Sequence, residues 1–305
     1  MISNYEPQVS LRAETSPRAS SVRADFEREG FVVVPRVVDR ARALALADEA
    51  DELTTRQGPG VQLQWTRSGK QSLVKIPQLS TMRASFESLA HDGRVIDVVE
   101  ELIGAGARLF RDVVVGKPAH TGARLSAHQD SAYWDVEPRA LVSAWIALTD
   151  APAERSPLEV VPRTHRGLLP HGLVLGGRFT VPAPIVRALR AGVSAAGTGD
   201  NPDRSGGNRL LWRLKTFLLT RATRSMPWMA ALQDYRVLPS ALRGLTPVLL
   251  PVAAGDVVFF HSLTVHGTPP NGTDAVRYAH IVSYMPAGAR CKSLSDDHFP
   301  AARRG

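Results

Sequence analysis

Residues 255–271 read GDVVFFHSLTVHGTPPN, and this stretch decides the predicted fold. Its apolar run at 257–260 is typical of a buried β-strand, and the closing Gly-Thr-Pro-Pro-Asn string predicts a turn. His266 lies where the strand would meet the turn. His261 lies five residues earlier, so on a regular strand the two imidazoles would face opposite sides. The stretch therefore predicts one histidine presented at the end of a buried strand, and it favours His266.

Similar short, β-rich runs recur along the chain. Before them, the sequence predicts a short helix ending at Gly30, a buried strand at 31–34, an amphipathic helix at 40–56 capped by Asp39, and a helical region at 81–104. The β-rich runs are separated by Gly, Pro and Asp, and they lie at 107–117, 124–134, 140–148, 158–161, 247–266 and 276–286. Regular short strands of this kind indicate a β-sandwich or barrel, so we expect a mainly β protein with flanking helices.

The segment from about 173 to 246 interrupts the strand series and predicts a basic helical insertion or lid. It has apolar helical stretches at 181–192 and 209–232, and it carries 11 Lys and Arg against 3 Asp. Such a segment can attract an acidic substrate or carrier, and a solvated helix face of an Arg-rich protein is the alternative. Residues 1–22 are polar and predict a flexible tail, which leaves 23–305 as a single domain.

The composition excludes several classes of protein. The chain has 305 residues, of which 44% are hydrophobic and 22% charged, as in ordinary globular proteins. Its one cysteine, Cys291, cannot form an internal disulfide or a Cys-rich zinc site, which predicts a cytoplasmic location. No apolar run reaches transmembrane length and no nucleic-acid-binding motif is present, so we expect neither a membrane nor a nucleic-acid partner.

His128-Gln129-Asp130 is the first candidate for chemistry. On a β-strand, residues i and i+2 project to the same face, so His128 and Asp130 would point together while Gln129 points away. A second histidine from another strand, here His266, would complete the two-histidine, one-carboxylate set that holds non-haem Fe(II). A structural histidine is the alternative at each position.

Arg277 is the second candidate. We expect the turn at 269–274 to fold the chain into a hairpin that returns Arg277 alongside the strand of His266. An arginine inside a β-rich barrel needs an anionic partner, and its guanidinium group matches a carboxylate with two parallel hydrogen bonds. The distal carboxylate of 2-oxoglutarate is a suitable partner, with a further contact from the hydroxyl of Thr268. A surface arginine on an edge strand is the alternative.

Several ordered motifs together resemble those of the phytanoyl-CoA dioxygenase (PhyH-like) family of Fe(II)/2-oxoglutarate oxygenases. The resemblance spans most of residues 24–172 and 247–288. It is carried by FEREGFVV at 26–33, DVVEELIGAGARLFRDVVVGK at 97–117, HQDSAYW at 128–134, SAWIALTD at 143–150, and HGTPPN at 266–271 with Arg277. It implies a double-stranded β-helix (jelly-roll, cupin-like) core that uses Fe(II), 2-oxoglutarate and O₂.

The resemblance also implies roles for single residues. Two positions, Lys117 and Trp145, match family positions near the co-substrate; a snorkelling surface lysine and a core tryptophan are the alternatives. The implied metal ligands are His128, Asp130 and His266, and the implied contacts to the distal carboxylate of 2-oxoglutarate are Arg277 and Thr268.

Together these features predict a dioxygenase that oxidises, most simply by hydroxylation, an unactivated C–H bond of a small organic molecule in secondary metabolism. Asp130 argues against halogenation, because related halogenases have a small residue at the matching position. Two alternatives stay open: the same chemistry on an acidic, CoA- or carrier-protein-linked acyl substrate, and a catalytically inactive metal-binding jelly-roll. The candidate substrate contacts are Gln129, Tyr133, Trp134 and, in a predicted hairpin at 61–76, Trp65.

Overall fold

The computed structural model describes residues 8–9, 21–65, 71–121, 124–175, 179–181, 235–292 and 294–303. In these ranges the helices are α1 (Val22–Glu29), α2 (Arg40–Thr55), α3 (Ala84–Ala90) and α4 (Gly93–Ile103). The strands are β1 (Gln8–Val9), β2 (Phe31–Val34), β3 (Gln62–Trp65), β4 (Gln71–Pro77), β5 (Arg108–Lys117), β6 (Leu125–His128), β7 (Val136–Glu137), β8 (Val142–Ala147), β9 (Leu158–Val161), β10 (His171–Leu175), β11 (Phe179–Val181), β12 (Tyr235–Val237), β13 (Val248–Leu250), β14 (Val257–His261), β15 (Val265–Thr268), β16 (Arg277–Met285) and β17 (Arg290–Cys291).

The opening elements follow the local sequence signals. Helix α1 ends at Gly30, whose φ of 85° is a left-handed conformation that glycine adopts without steric cost. The side chain of Asp39 accepts a hydrogen bond from the Arg42 backbone N–H and caps α2, so the predicted cap is confirmed. The predicted buried strand at 31–34 is only half-buried, because β2 is an edge strand of its sheet. The predicted helical region at 81–104 is two helices, with Asp92 capping the second.

The chain divides into two compact units, and the first contains Met1–Leu168 and Gly244–Gly305. Its large sheet has the strand order β2-β14-β8-β16-β5-β4-β3 and is antiparallel throughout. One face of this sheet packs against α2, α3 and α4 in the main hydrophobic core, which includes Leu46, Phe86, Ile96, Val114 and Phe259. The predicted hairpin at 61–76 is present as β3 and β4.

A five-stranded sheet of order β1-β13-β9-β15-β6 covers the other face of the large sheet. Its Leu158 and Val160 form one buried cluster with Trp145, Val258 and Phe260 of the large sheet. We call the face of the large sheet that carries this cluster its inner face. The two layers form a double-stranded β-helix (jelly-roll) core with flanking helices, so the predicted fold class is confirmed.

Two predicted elements near the metal motifs are wrong. The strand expected at 124–134 ends at His128, and a short 3₁₀ helix follows at Asp130–Ala132. The turn at 269–274 does not close a hairpin: β15 lies between β6 and β9 in the small sheet, whereas β16 lies between β8 and β5 in the large sheet. Each strand already has a neighbour on both edges, so the two cannot pair with each other.

The second unit, Leu169–Arg243, contains an antiparallel sheet in which β10 pairs with β11 and β12. The helical stretches predicted at 181–192 and 209–232 lie outside the described residues, apart from the end of β11. The insertion or lid at 173–246 and the flexible tail at 1–22 therefore stay predictions, and Gln8–Val9 of that tail pair with β13. Among the described helices, none combines the length and the apolar character needed to cross a membrane.

Candidate metal centre

Three potential ligands converge at one edge of the small sheet. His128 ends β6 and is the register partner of His266 in the neighbouring strand β15. Asp130 begins the 3₁₀ helix that follows β6. Its Oδ1 lies 3.8 Å from Nε2 of His128 and 3.9 Å from Nε2 of His266, and one ligand atom from each residue lies within 4.8 Å of the others. The three ligand atoms therefore lie close enough together to bind a single ion.

The backbone of Gln129 explains why His128 and Asp130 point together although the strand has ended. Its φ of −115° and ψ of 131° are extended, so the alternation of side chains continues for one more step. The i and i+2 argument made from the sequence thus holds for this pair, even though the predicted length of the strand does not. His261, the competing histidine, ends β14 and is not part of this group of ligands.

Hydrogen bonds to backbone carbonyls fix the tautomer and the orientation of both imidazole rings. Nδ1 of His128 donates a hydrogen bond to the carbonyl oxygen of Ser126 at 2.9 Å, and Nδ1 of His266 donates to that of Thr264 at 3.0 Å. A neutral imidazole with its proton on Nδ1 has its lone pair on Nε2. Both Nε2 atoms are therefore prepared to coordinate a cation, which is the arrangement that metal-binding histidines share.

The electrostatics of the three residues fit a metal ion. Burial, followed by the charge of His266, lowers the pKa of His128 to about 3, and burial lowers the pKa of His266 to about 4. Both imidazoles are therefore neutral at pH 7, as metal ligands must be. Burial also raises the pKa of Asp130, against the opposing charges of His128, Arg111 and Lys75. A cation bound among the three would offset the cost of burying this carboxylate. Two imidazole nitrogens and one carboxylate oxygen suit Fe(II).

A second group of buried polar residues lies beside the ligands on β15, β5 and β16. Thr268 follows His266 by two residues on the same strand, and its hydroxyl lies 3.3 Å from Nζ of Lys117. Lys117 is the register partner of Arg277. All three side chains are buried, at 3%, 1% and 0% exposure for Thr268, Lys117 and Arg277. The structure thus brings together the residues that the sequence predicts for the 2-oxoglutarate carboxylate.

Arg277 has an unsatisfied donor in this group. Its Nε donates to the carbonyl oxygen of Ser156 at 3.0 Å and one terminal nitrogen donates to that of Val115 at 3.2 Å. Its other terminal nitrogen, Nη2, is buried and has no hydrogen-bond partner among the described residues. A buried cationic donor without an acceptor is costly, and a carboxylate oxygen would satisfy it. The residues present therefore fit an anionic co-substrate.

The pKa values of the two cations show the cost of their burial. Burial, followed by the charge of Arg155, lowers the pKa of Arg277 to about 9, so this side chain stays charged at pH 7. Burial, followed by the charges of Arg277 and Arg124, lowers the pKa of Lys117 to about 7. A bound dianion would reverse both effects, because it would pair with each charge.

The predicted substrate contacts differ in their surroundings. Tyr133 is 36% exposed and its ring meets that of His128 edge-on, with the centroids 5.6 Å apart. Trp134 packs against Phe110 in a smaller apolar cluster. The side chain of Trp65 lies outside the described part of the chain.

The side chain of Gln129, another expected substrate contact, is fully buried. Its amide nitrogen donates to the backbone carbonyls of Thr164, Gly167 and Leu263, at 2.8 Å for Gly167 and 3.4 Å for Thr164. A residue that alternates away from the metal ligands faces the loops behind them, and these hydrogen bonds favour a role for Gln129 in positioning the ligands.

Sequence reasoning missed two polar residues that support the site. Ser143 in β8 donates a hydrogen bond to Oδ2 of Asp130 at 3.4 Å. The amide of Asn271 donates to the carbonyls of Lys117, Pro118 and Ala275, which fixes the loop before Arg277. Asn271 closes the Thr-Pro-Pro-Asn string and could have been recognised from it. Ser143 gave no local signal, because it contacts Asp130 only through sheet packing.

Comparison with known proteins is consistent with this geometry. A sequence model described as phytanoyl-CoA dioxygenase (PhyH) matches residues 26–173 and 242–279, more than half of the chain. A probable phytanoyl-CoA dioxygenase of Caenorhabditis elegans is 23% identical over 296 residues, which cover 90% of this chain and 78% of the relative. An ectoine dioxygenase of Stutzerimonas stutzeri is 25% identical over 166 residues, which cover about half of each chain, at 50% and 52%.

Among solved structures, the epimerase SnoN in complex with Fe³⁺, alpha ketoglutarate and nogalamycin RO is similar, with a TM-score of 0.64. The match has 21% sequence identity and covers 92% of this chain and 97% of SnoN. At this level of identity the likeness shows that the two chains share a fold.

Proposed function

The chain belongs to the phytanoyl-CoA dioxygenase (PhyH) family of Fe(II)/2-oxoglutarate-dependent oxygenases, and from this premise we propose that it hydroxylates an unactivated C–H bond of a small organic molecule. Its cofactor is Fe(II), and its co-substrates are 2-oxoglutarate and O₂. The observation that carries the proposal is the convergence of His128, Asp130 and His266 within 4.8 Å, next to a group of buried cations. Such a set of ligands leaves positions on the metal for other molecules.

Each residue of the site has a role under this proposal. The ligands His128, Asp130 and His266 hold the iron, and Arg277 pairs with the distal carboxylate of 2-oxoglutarate, with Lys117 and Thr268 beside it. The iron and 2-oxoglutarate together supply the oxidising power, with succinate and CO₂ as co-products. The protein orients the reactants and excludes water. The guanidinium group of Arg277 lies over the ring of Trp145, which supports it in place.

The proposed substrate is a free small molecule, and the proposed setting is biosynthesis in a reducing cytoplasm. The relatives named above are a probable phytanoyl-CoA dioxygenase and an ectoine dioxygenase, so the family includes both CoA-linked and free small-molecule chemistry. The single, buried cysteine supports the cytoplasmic setting. An acidic or carrier-linked substrate would instead depend on the basic segment at 173–246, and charge reversal at Arg209, Arg213 and Arg221 would then weaken turnover.

Anaerobic loading with Fe(II) and 2-oxoglutarate tests the proposal. We expect a weak metal-to-ligand charge-transfer band in the visible spectrum of the wild type. The band should be absent in His128→Ala, and in Arg277→Ala it should require more 2-oxoglutarate. His261→Ala is the matched control, because this nearby histidine lies outside the ligand group and its loss should leave the band in place.

A wild-type protein that contains iron but shows no band would remove the 2-oxoglutarate proposal. A band without any succinate release, across a broad range of substrates, would favour the alternative of a catalytically inactive metal-binding jelly-roll.

A further inference from the structure

A row of three residues crosses the inner face of the large sheet beside the metal ligands. Ser143 in β8 is in register with Ser283 in β16, and Ser283 is in register with Arg111 in β5. The two serine hydroxyls lie 2.9 Å apart, and that of Ser143 donates to Asp130. Neighbouring strands lie about 4.8 Å apart, so Arg111 leaves the sheet about 10 Å from Ser143 on the same face.

Arg111 lies over an aromatic ring. Its guanidinium carbon lies 5.8 Å from the ring centroid of Trp134, which follows Asp130 by four residues. Throughout the ranges that the structure describes, its guanidinium group forms neither an ion pair nor a hydrogen bond, and the residue is exposed. An arginine stacked on a tryptophan keeps its N–H donors free at the edge of the guanidinium plane, where they can meet a carboxylate or phosphate.

The inner face beside Arg111 adds an apolar surface. The charge of Arg111 acts on the carboxylate of the metal ligand Asp130, which places this arginine close to the metal ligands. Val113 and Ile281 are register partners on the same face and are also half-buried. Next to the metal ligands, the sheet therefore presents the positive charge of Arg111 and a partly exposed apolar patch.

We propose that Arg111 binds an anionic group of the substrate, so that the substrate is a carboxylic acid or phosphate ester with an apolar body. This inference rests on the proposed function and names the class of substrate for the same site. The anion is not the co-substrate. Lys117, which faces the co-substrate, lies six residues further along β5, about 20 Å from Arg111 at the rise of an antiparallel strand.

Titration calorimetry on the protein loaded anaerobically with Fe(II) and saturating 2-oxoglutarate tests the inference. The probes are benzoate, phenyl phosphate and the neutral methyl benzoate, and saturating 2-oxoglutarate occupies Arg277 and Lys117. We expect at least one of the two anions to bind the wild type, with methyl benzoate binding much more weakly. Tighter binding of benzoate would indicate a carboxylate substrate, and tighter binding of phenyl phosphate would indicate a phosphate ester.

Variants connect this binding to Arg111. Arg111→Gln should weaken binding of the anion about tenfold or more, since a hydrogen bond to a charged group is lost. Arg111→Lys should retain part of the affinity, because the charge stays and the planar fork is lost. Arg23→Gln is the matched control: this exposed arginine of α1 pairs with Glu27, and its loss should leave binding unchanged.

Three results would overturn the inference: no binding of either anion to the wild type, equal binding of methyl benzoate, or unchanged affinity in Arg111→Gln. Failure of the proposed function is a separate result, because it removes the charge-transfer band. The anion titration can then be repeated on the metal-free protein.

Discussion

The guanidinium carbon of Arg277 lies 5.3 Å from the ring centroid of Trp145, and both side chains are buried in the same layer of the fold. Trp145 also belongs to the apolar cluster between the two sheets. The two interpretations of this tryptophan from sequence, as core packing and as a neighbour of the co-substrate, are therefore compatible. The ring face supports the cation from one side, and the unsatisfied Nη2 is left for an anion.

Replacing Arg277 by lysine keeps the positive charge and removes the second hydrogen bond to a carboxylate. We expect Arg277→Lys to weaken 2-oxoglutarate binding about tenfold or more, because charged hydrogen bonds contribute about 1.5–3 kcal/mol each. The measurement is the 2-oxoglutarate concentration that gives half of the charge-transfer band. Arg23→Lys, on an exposed helix, serves as the control. Equal affinity in Arg277→Lys and the wild type would show that this arginine does not contact the co-substrate.

Lys117 should make co-substrate binding depend on pH near neutrality. Because the pKa of Lys117 is lowered to about 7, its ammonium form is lost as pH rises through that value. An anion that pairs with the ammonium form should therefore bind less tightly at about pH 8.5 than at about pH 6. Lys117→Met should flatten this part of the profile, and 2-oxoglutarate titrations of both proteins across the range provide the measurement. Parallel profiles would contradict the prediction.

The same shift predicts an effect on the stability of the protein without co-substrate. Between about 7 and the ordinary value of 10.5, the unfolded chain binds more protons at Lys117 than the folded chain does. Stability rises with pH wherever the unfolded state binds more protons, so in this window the wild type should gain stability relative to Lys117→Met. Urea unfolding at several pH values measures the difference.

Gln129 should affect metal binding without touching the metal. Gln129→Leu keeps the size of the side chain but removes the donor to the carbonyls of Thr164, Gly167 and Leu263. We expect metal affinity to fall about 10- to 100-fold, the range seen when residues that orient metal ligands are lost. Gln62→Leu is the control on an exposed strand position. Metal titration below the unfolding temperature separates a loss of metal affinity from a loss of stability. If Gln129→Leu bound the metal as tightly as the wild type, the positioning role would be ruled out.

A buried pair on the helix-facing side of the large sheet should govern acid stability. Burial alone would raise the pKa of Asp112, but the hydrogen bond and charge of His280 and two hydrogen bonds from Ser80 outweigh it, so the pKa is lowered. A carboxylate with a lowered pKa in the folded state stabilises the fold above its unfolded value of 3.8. That contribution is lost as pH falls through the folded pKa.

We therefore expect Asp112→Ala to lower the free energy of unfolding at pH 7 by about 3–5 kcal/mol, as for other broken buried pairs. The difference from the wild type should shrink below about pH 4, as the carboxylate takes up its proton. Denaturant unfolding at pH 7 and pH 3 checks both statements. Glu27→Ala, which breaks an exposed helical pair, should cost about 0.5 kcal/mol or less. A pH-independent difference for Asp112→Ala would exclude ionisation as the source of its effect.

Local sequence patterns were sufficient for several parts of the fold and the site. Gly30 and Asp39 mark helix ends because a glycine turn and an aspartate cap act on the nearest backbone groups. The pairing of His128 with Asp130 also depends only on local backbone, since one extended residue between them is enough to align the two side chains. Such features depend only on residues close in the chain, so they can be predicted directly from the sequence.

Strand pairing between distant segments decided the rest. The partner of Arg277 is Lys117, 160 positions earlier, and not the strand just before it, because β15 and β16 have both edges occupied in different sheets. The hydrogen bond between the amide of Gln129 and the carbonyl of Leu263, on which its expected positioning role depends, joins segments 134 positions apart. The proposal for Arg111 likewise depends on its register with Ser283, a residue of a different strand. Contacts of this kind depend on which strands are adjacent, and that choice is made by burial over the whole fold rather than by any short stretch of sequence.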